Sequence, residues 1–131
     1  MLTNTCRMSE KAIILYVDDE LINLKVFEIN LSKKYFVLTA ESGMKGLELL
    51  SNKSDIKIVI SDMRMPDMNG LEFIKSAKEQ YSQISCFLFT GYEITNEIEE
   101  ALKNRLILRY FKKPLNMQKV SSAIEKAISE S

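Results

Sequence analysis

Apolar residues fall into two kinds of stretch along this chain: short unbroken runs, and longer segments where they recur every three or four positions. Ala12–Val17 (AIILYV) is unbroken and ends abruptly on Asp18-Asp19-Glu20, the mark of a strand buried on both faces. From Leu21 to Lys33, the positions Leu24, Phe27 and Leu31 keep helical spacing, with Lys25, Glu28 and Lys33 set between them. Tyr35–Ala40 (YFVLTA) predicts a second strand, and Met44, Leu47 and Leu50 predict a second amphipathic helix that fades at Asn52–Ser54. Ile56–Ile60 (IKIVI) predicts a third strand ending in Ser61-Asp62. Met63–Gly70 (MRMPDMNG) holds Pro66 and an Asn-Gly pair, so it is expected to be loop. Leu71, Ile74 and Ala77 open a third helix, and Ile84–Phe89 (ISCFLF) reads as a fourth strand closing at Thr90-Gly91. Ile94, Ile98, Ala101 and Leu102 predict a fourth helix with an acidic outer face. Leu106–Phe111 reads as a fifth strand that ends at Lys112-Lys113-Pro114. Val120, Ile124, Ala127 and Ile128 predict a last helix, with Asn116 as its N-cap.

Strands alternating with helices of this length imply a parallel sheet covered on both faces, because parallel strands need crossovers. No repeat, low-complexity block or linker interrupts residues 11–129. One α/β domain is therefore expected over residues 11–131, after a loose tail at residues 1–10. A length of 131 residues suits one such core.

Composition then narrows the function. The 18 Lys+Arg balance 18 Asp+Glu, which gives no electrostatic reason to expect nucleic acid or an anionic membrane as partner. No apolar stretch approaches the ~20 residues that cross a bilayer, and the segment before Ala12 lacks the centre of a signal peptide. The two cysteines, Cys6 and Cys86, form no CxxC pair, so a reducing, cytoplasmic location is expected. Histidine is absent. That excludes Ser-His-Asp and Cys-His catalysis and histidine-ligated metals, leaving carboxylates, hydroxyls, lysines or a hard ion.

Open doubly wound sheets bind ligands at the carboxyl ends of their strands, near the point where strand order reverses. The predicted strand ends carry Asp18 and Asp19, then Asp62, then Thr90, then Lys113. Clustered carboxylates repel unless a cation sits among them, and oxygen-only donors favour Mg²⁺ or a similar hard ion. A carboxylate can attack phosphorus to give an aspartyl phosphate, with a metal, a lysine and a hydroxyl neutralising the transferring group. Singly, each residue has a blander reading. An Asp pair after a strand is more often an N-cap or solvated turn, and Asp62 before a Pro/Asn-Gly loop fits turn chemistry equally well. A lone Thr90 is usually a cap and a lone Lys113 usually faces solvent. Met63, Met65 and Met68 read as loop packing, and Gly43-x-x-Gly46 is a weak phosphate-loop signal. The whole set, each member at the right strand end, favours function.

The chain resembles a response-regulator receiver domain of bacterial two-component signalling. The stretches VDDE (17–20), SDMRMPDMNGLEF (61–73), LFTGY (88–92) and RYFKKP (109–114) carry the likeness, which runs from about Lys11 to Ser129. It implies a flavodoxin-like (βα)5 three-layer sandwich whose parallel five-stranded sheet has the order 2-1-3-4-5. It implies Asp62 as phosphoacceptor, with Asp18 and Asp19 as the acidic pair for Mg²⁺ (or Mn²⁺), Asp19 directly and Asp18 largely through water. The backbone carbonyl of Arg64 would be a further metal ligand. Thr90 would be the switch hydroxyl, Lys113 the partner of the phosphoryl oxygens before a cis peptide to Pro114, and Tyr110 the aromatic switch residue. Arg64 and Tyr92 stand at two positions that tune dephosphorylation, and side chains of this bulk imply no fast self-hydrolysis. Asn104-Arg105 stands where many receivers have glycine, with Asn expected to tolerate the left-handed conformation.

The implied reaction is phosphoryl transfer to Asp62 from a phosphohistidine on a sensor histidine kinase or a histidine phosphotransfer protein. Such a chain is no ordinary enzyme, since it catalyses only its own phosphorylation and slow dephosphorylation. The readout would be a population shift at the face of the fourth helix, fifth strand and fifth helix. That face would control a downstream effector protein or output domain, or form a homodimer, without direct contact to nucleic acid or membrane. The chain contains no output module, so it is either a stand-alone shuttle or part of a longer protein. A small aspartyl-phosphate hydrolase would need a second acid where Arg64 stands. A phosphorylation-independent interaction domain would not need the complete set. With no histidine here, the phosphohistidine must belong to another chain.

Overall fold

The first apolar run forms a strand whose neighbours bury it from both sides. In the computed structural model, which describes residues 11–91 and 93–130, β1 (Ile13–Val17) is buried along its whole length. Ile13, Leu15 and Val17 enter one core layer, while Ile14 and Tyr16 enter the other. The remaining elements are α1 (Leu21–Leu31), β2 (Phe36–Ala40), α2 (Gly43–Asn52), β3 (Ile56–Asp62) and α3 (Gly70–Gln80). They continue with β4 (Ser85–Thr90), α4 (Asn96–Lys103), β5 (Arg109–Lys112) and α5 (Met117–Glu130). The tail expected at residues 1–10 lies outside the described residues.

All strand pairings are parallel and the order is β2-β1-β3-β4-β5, as the resemblance implies. Helices α1 and α5 cover one face around Phe27, Phe89, Phe111 and Ile124. Helices α2, α3 and α4 cover the other around Leu50, Phe73, Ile74 and Ile98. Each such fully buried side chain contributes about 1.5–3 kcal/mol of burial free energy, so the two layers hold the sheet rigidly between them. Register brings the strand ends level: Val17 lies opposite Ser61, Asp62 opposite Phe89, and Thr90 opposite Lys112.

Local chemistry sets the ends of the helices. Thr95 caps α4 by accepting from the Ile98 N–H, and Asn116 Oδ1 caps α5 by accepting from Gln118 and Lys119. Four differences from the expected pattern have physical causes. Helix α1 is not amphipathic, because Ile22 and Ile29 are 76% and 72% exposed opposite the buried Leu24, Phe27 and Leu31. Strand β5 begins at Arg109 rather than Leu106, because Leu106 and Ile107 still bond to the Ala101 carbonyl at the end of α4. The Asn-Gly pair makes no turn: Asn69 and Glu72 form a reciprocal capping box, and Gly70 is the first residue of α3. Finally, Arg105 and not Asn104 is left-handed, with φ 63°. Asn104 closes α4 with φ −86°, so the next residue takes the left-handed position that ends a helix.

Candidate functional site

The crossovers from β1 and β3 leave toward opposite edges of the sheet, so the loops after these adjacent strands part and leave a cleft. Asp18 and Asp19 follow β1, and Asp62 ends β3. One carboxylate oxygen from each of the three lies within 4.8 Å of the others. Their settings differ: Asp18 is 0% exposed, Asp62 is 6% exposed, and Asp19 faces solvent. An open cavity of about 360 Å³ lies over them, lined by Asp19, Glu20, Asp62, Arg64, Gly91 and Lys113.

Among the described residues, three donors hold buried Asp18. Tyr16 donates its hydroxyl to Oδ2 at 2.5 Å, and Asn23 Nδ2 donates to the same oxygen at 3.1 Å. The Glu20 N–H donates to Oδ1 at 2.9 Å. Asp62 instead meets a cation, with Lys113 Nζ 2.6 Å from its Oδ1. Burial pushes the Asp62 carboxyl above its ordinary value, and the charges of Asp18 and Asp19 push the same way against the opposing pull of Lys113. Burial also works against the Lys113 ammonium, but its contact with Asp62 and the charges of Asp18 and Glu20 outweigh that and hold it above its ordinary value. One ammonium therefore does not compensate three carboxylates. The donor set is all oxygen and carries surplus negative charge, so it fits a hard divalent cation held by Asp18, Asp19 and Asp62.

The loop after β3 is pinned close beneath this cluster. The Met63 N–H bonds to the Phe89 carbonyl and the Gly70 N–H to the Met63 carbonyl, both at 2.8 Å. Between them, Met68 N–H bonds to the Pro66 carbonyl across Asp67, whose φ of 71° makes a γ-turn. Glycine at position 70 is required by space: a Cβ there would stand 2.4 Å from the Asp62 carbonyl oxygen.

Thr90 ends β4 with 1% exposure, and its carbonyl accepts from the Lys113 N–H at 2.9 Å. The Lys113–Pro114 peptide is cis. Tyr110 does not line the cleft; it lies opposite Leu88 on β5, half-buried against the α2–α4 core. Arg64 stands exposed at the cleft rim, and Tyr92 lies outside the described residues. Reasoning from sequence missed Tyr16 and Asn23, the side chains that hold Asp18. The available signal was a phenol in an otherwise aliphatic strand, IILYV. Among the described residues, no helix is long and apolar enough to cross a membrane.

The family model of the response regulator receiver domain matches residues 14–125. A chemotaxis protein CheY homolog from Campylobacter jejuni is 31% identical over 116 residues, which is 86% of this chain and 88% of that protein. The hydrogenase transcriptional regulatory protein HoxA of Cupriavidus necator is 31% identical over 108 residues, 82% of this chain but only 22% of HoxA. Two solved structures share the architecture at 30% identity. One, described as adenylate cyclase from Rhodopirellula baltica, has a TM-score of 0.87 over 92% of this chain and 89% of that one. The other, a response regulator receiver domain protein from Clostridium thermocellum, has a TM-score of 0.85 over 91% of this chain and 95% of its own.

Proposed function

Because the chain belongs to the response regulator receiver domain family, whose members carry phosphorylation-controlled signalling, we propose that Asp62 is its phosphoacceptor. The observation that carries this reading is the pairing of Asp62 Oδ1 with Lys113 Nζ at 2.6 Å beside the carboxylates of Asp18 and Asp19. The donor is a phosphohistidine on a sensor histidine kinase or a histidine phosphotransfer protein. A carboxylate oxygen of Asp62 attacks phosphorus, the P–N bond breaks, and its electron pair leaves with the donor imidazole. Burial of all but the tip of Asp62 restricts the donor to approach along the cleft. Lys113 then pairs with a phosphoryl oxygen and Thr90 donates its hydroxyl to another. Asp18, Asp19, Asp62 and the Arg64 carbonyl would hold Mg²⁺ (or Mn²⁺), which would neutralise charge on the transferring group.

Arg64 at the rim hinders attacking water, and Tyr92 is the second position assigned to tuning dephosphorylation, so the aspartyl phosphate is hydrolysed slowly. The output is a population shift in which Thr90 and Tyr110 rearrange the α4-β5-α5 face. That face carries acids on α4 (Glu97, Glu99) and a groove lined by Arg105, Arg109 and Lys126, which suits a protein partner, either an effector or a second copy. Beryllofluoride with Mg²⁺ tests the reading. The wild type is expected to bind this phosphoryl mimic and change its tyrosine emission, whereas Asp62→Asn is expected to do neither. Equal binding by the variant would overturn the assignment.

A further inference from the structure

The phenol of Tyr16 is the one polar side chain among the five residues of β1, and phosphoryl transfer makes no use of it. Its ring is stacked on Phe27 of α1 with centroids 4.4 Å apart, and it tilts against Phe89 of β4 at 5.4 Å. Held from both sides, the ring delivers its hydroxyl to Asp18 Oδ2. Asn23 Nδ2 donates to that same oxygen, so its two lone-pair sites are filled from within the protein. Among the described residues, the Glu20 N–H donates to Oδ1, an oxygen with a second lone-pair site for something else. Asp18 has no exposed surface, so these three donors stand where its hydration shell would be.

We propose that Tyr16 is a positioning residue that acts through Asp18: its hydroxyl reserves Oδ1 for the cation or its water, and it compensates the Asp18 charge in the cation-free protein, which weakens divalent-cation binding. The proposal rests on reading Asp18, Asp19 and Asp62 as a cation site. Two effects of deleting the hydroxyl oppose each other. Loss of orientation would weaken binding, but Asn23 and the Glu20 N–H still fix the carboxylate. Loss of charge compensation raises the free energy of the cation-free state more than that of the bound state, where the ion itself supplies the compensation. The second effect wins, and affinity rises. A cation site tuned this way binds loosely enough to empty and refill.

The test is Tyr16→Phe in the full chain, which keeps the ring stack and removes only the hydroxyl. Mg²⁺ affinity, measured by calorimetry, is expected to tighten about tenfold, the low end of what one hydrogen bond to a charged group is worth. The urea midpoint is expected to fall in chelator and to recover toward the wild-type value at saturating Mg²⁺. A loss of stability that is equal with and without Mg²⁺, at unchanged affinity, would make Tyr16 a packing residue and overturn the proposal. Weakened affinity would overturn it too. Should Tyr16→Phe fail to fold, Asn23→Ala removes the other Oδ2 donor and is expected to tighten binding in the same direction; unchanged or weaker binding there would count against the proposal. An Asp19→Asn control separates the two readings. If it binds Mg²⁺ as tightly as the wild type, or the wild type binds none, the cation site itself fails and the Tyr16 proposal falls with it.

Discussion

Replacing Gly70 with alanine tests how tightly the start of α3 supports the end of β3. The new methyl would stand 2.4 Å from the Asp62 carbonyl oxygen, 2.9 Å from Leu88 Cδ1 and 3.0 Å from Met63 Cα. Leu88 can rotate, but the other two atoms are backbone. Ordinary carbon contacts lie near 3.5 Å, so the β3 terminus and α3 must separate by about 1 Å. Overpacking of this kind costs about 1–3 kcal/mol. Stretching the 2.8 Å Gly70–Met63 hydrogen bond adds about 1 kcal/mol, and the better helix propensity of alanine returns at most about 1 kcal/mol. A net loss of about 2 kcal/mol follows, or about 8 °C in Tm for a domain of this size. A shift of this size in the backbone that carries Asp62 is also expected to slow phosphorylation by acetyl phosphate at least about tenfold. Urea denaturation and single-turnover phosphorylation read the two effects separately. Gly91→Ala is the control for stability alone, since its nearest neighbour would be Lys113 Cδ at an ordinary 3.6 Å. A Gly70→Ala protein as stable and as reactive as the wild type would refute the close-approach reasoning.

Further outcomes follow from the charges around the cleft. Folding raises the Asp62 carboxyl above its unfolded value, so its stabilising contribution is complete below the unfolded value and is lost as pH climbs through the folded one. In chelator, Asp62→Asn is therefore expected to be more stable than wild type at neutral pH, with the gap closing below about pH 4; a less stable variant at pH 7 would contradict the sign. Lys113→Ala removes the ammonium 2.6 Å from Asp62 and is expected to slow phosphorylation about a hundredfold, measured by single-turnover kinetics with acetyl phosphate. Burial pushes the Cys86 thiol up to about 12, so in a Cys6→Ser background it is expected to resist an aromatic disulfide reagent at pH 8 until urea is added. Rapid labelling of the folded protein would show that β4 opens locally.

The strands were legible because an unbroken apolar run such as AIILYV has few other homes than a strand covered on both faces, and β1 feeds both core layers. Asp18, Asp19 and Asp62 were legible because each terminates such a run, and a doubly wound sheet brings adjacent strand ends together. What escaped depends on contacts distant in sequence. Asn69-Gly70 carries a turn signature, and only the Asp62 carbonyl, from another element, makes position 70 a helix start pressed against β3. Arg105 is left-handed because of where α4 stops, which the side chains of Asn104 and Arg105 do not disclose. For α1, Leu24, Phe27 and Leu31 define the core face, but the apolar Ile22, Val26 and Ile29 on the opposite side were passed over. Tyr16 was read as one more apolar strand residue, since its hydroxyl gains meaning only beside Asp18.

One carboxylate, Asp62, is proposed to take the phosphoryl group. Borohydride reduction of the acyl phosphate formed with acetyl phosphate and Mg²⁺, followed by peptide mass mapping, reports the site directly. Homoserine is expected at position 62 alone, with no conversion when Mg²⁺ is withheld. Conversion at Asp18 or Asp19, or an undiminished yield in Asp62→Asn, would contradict it.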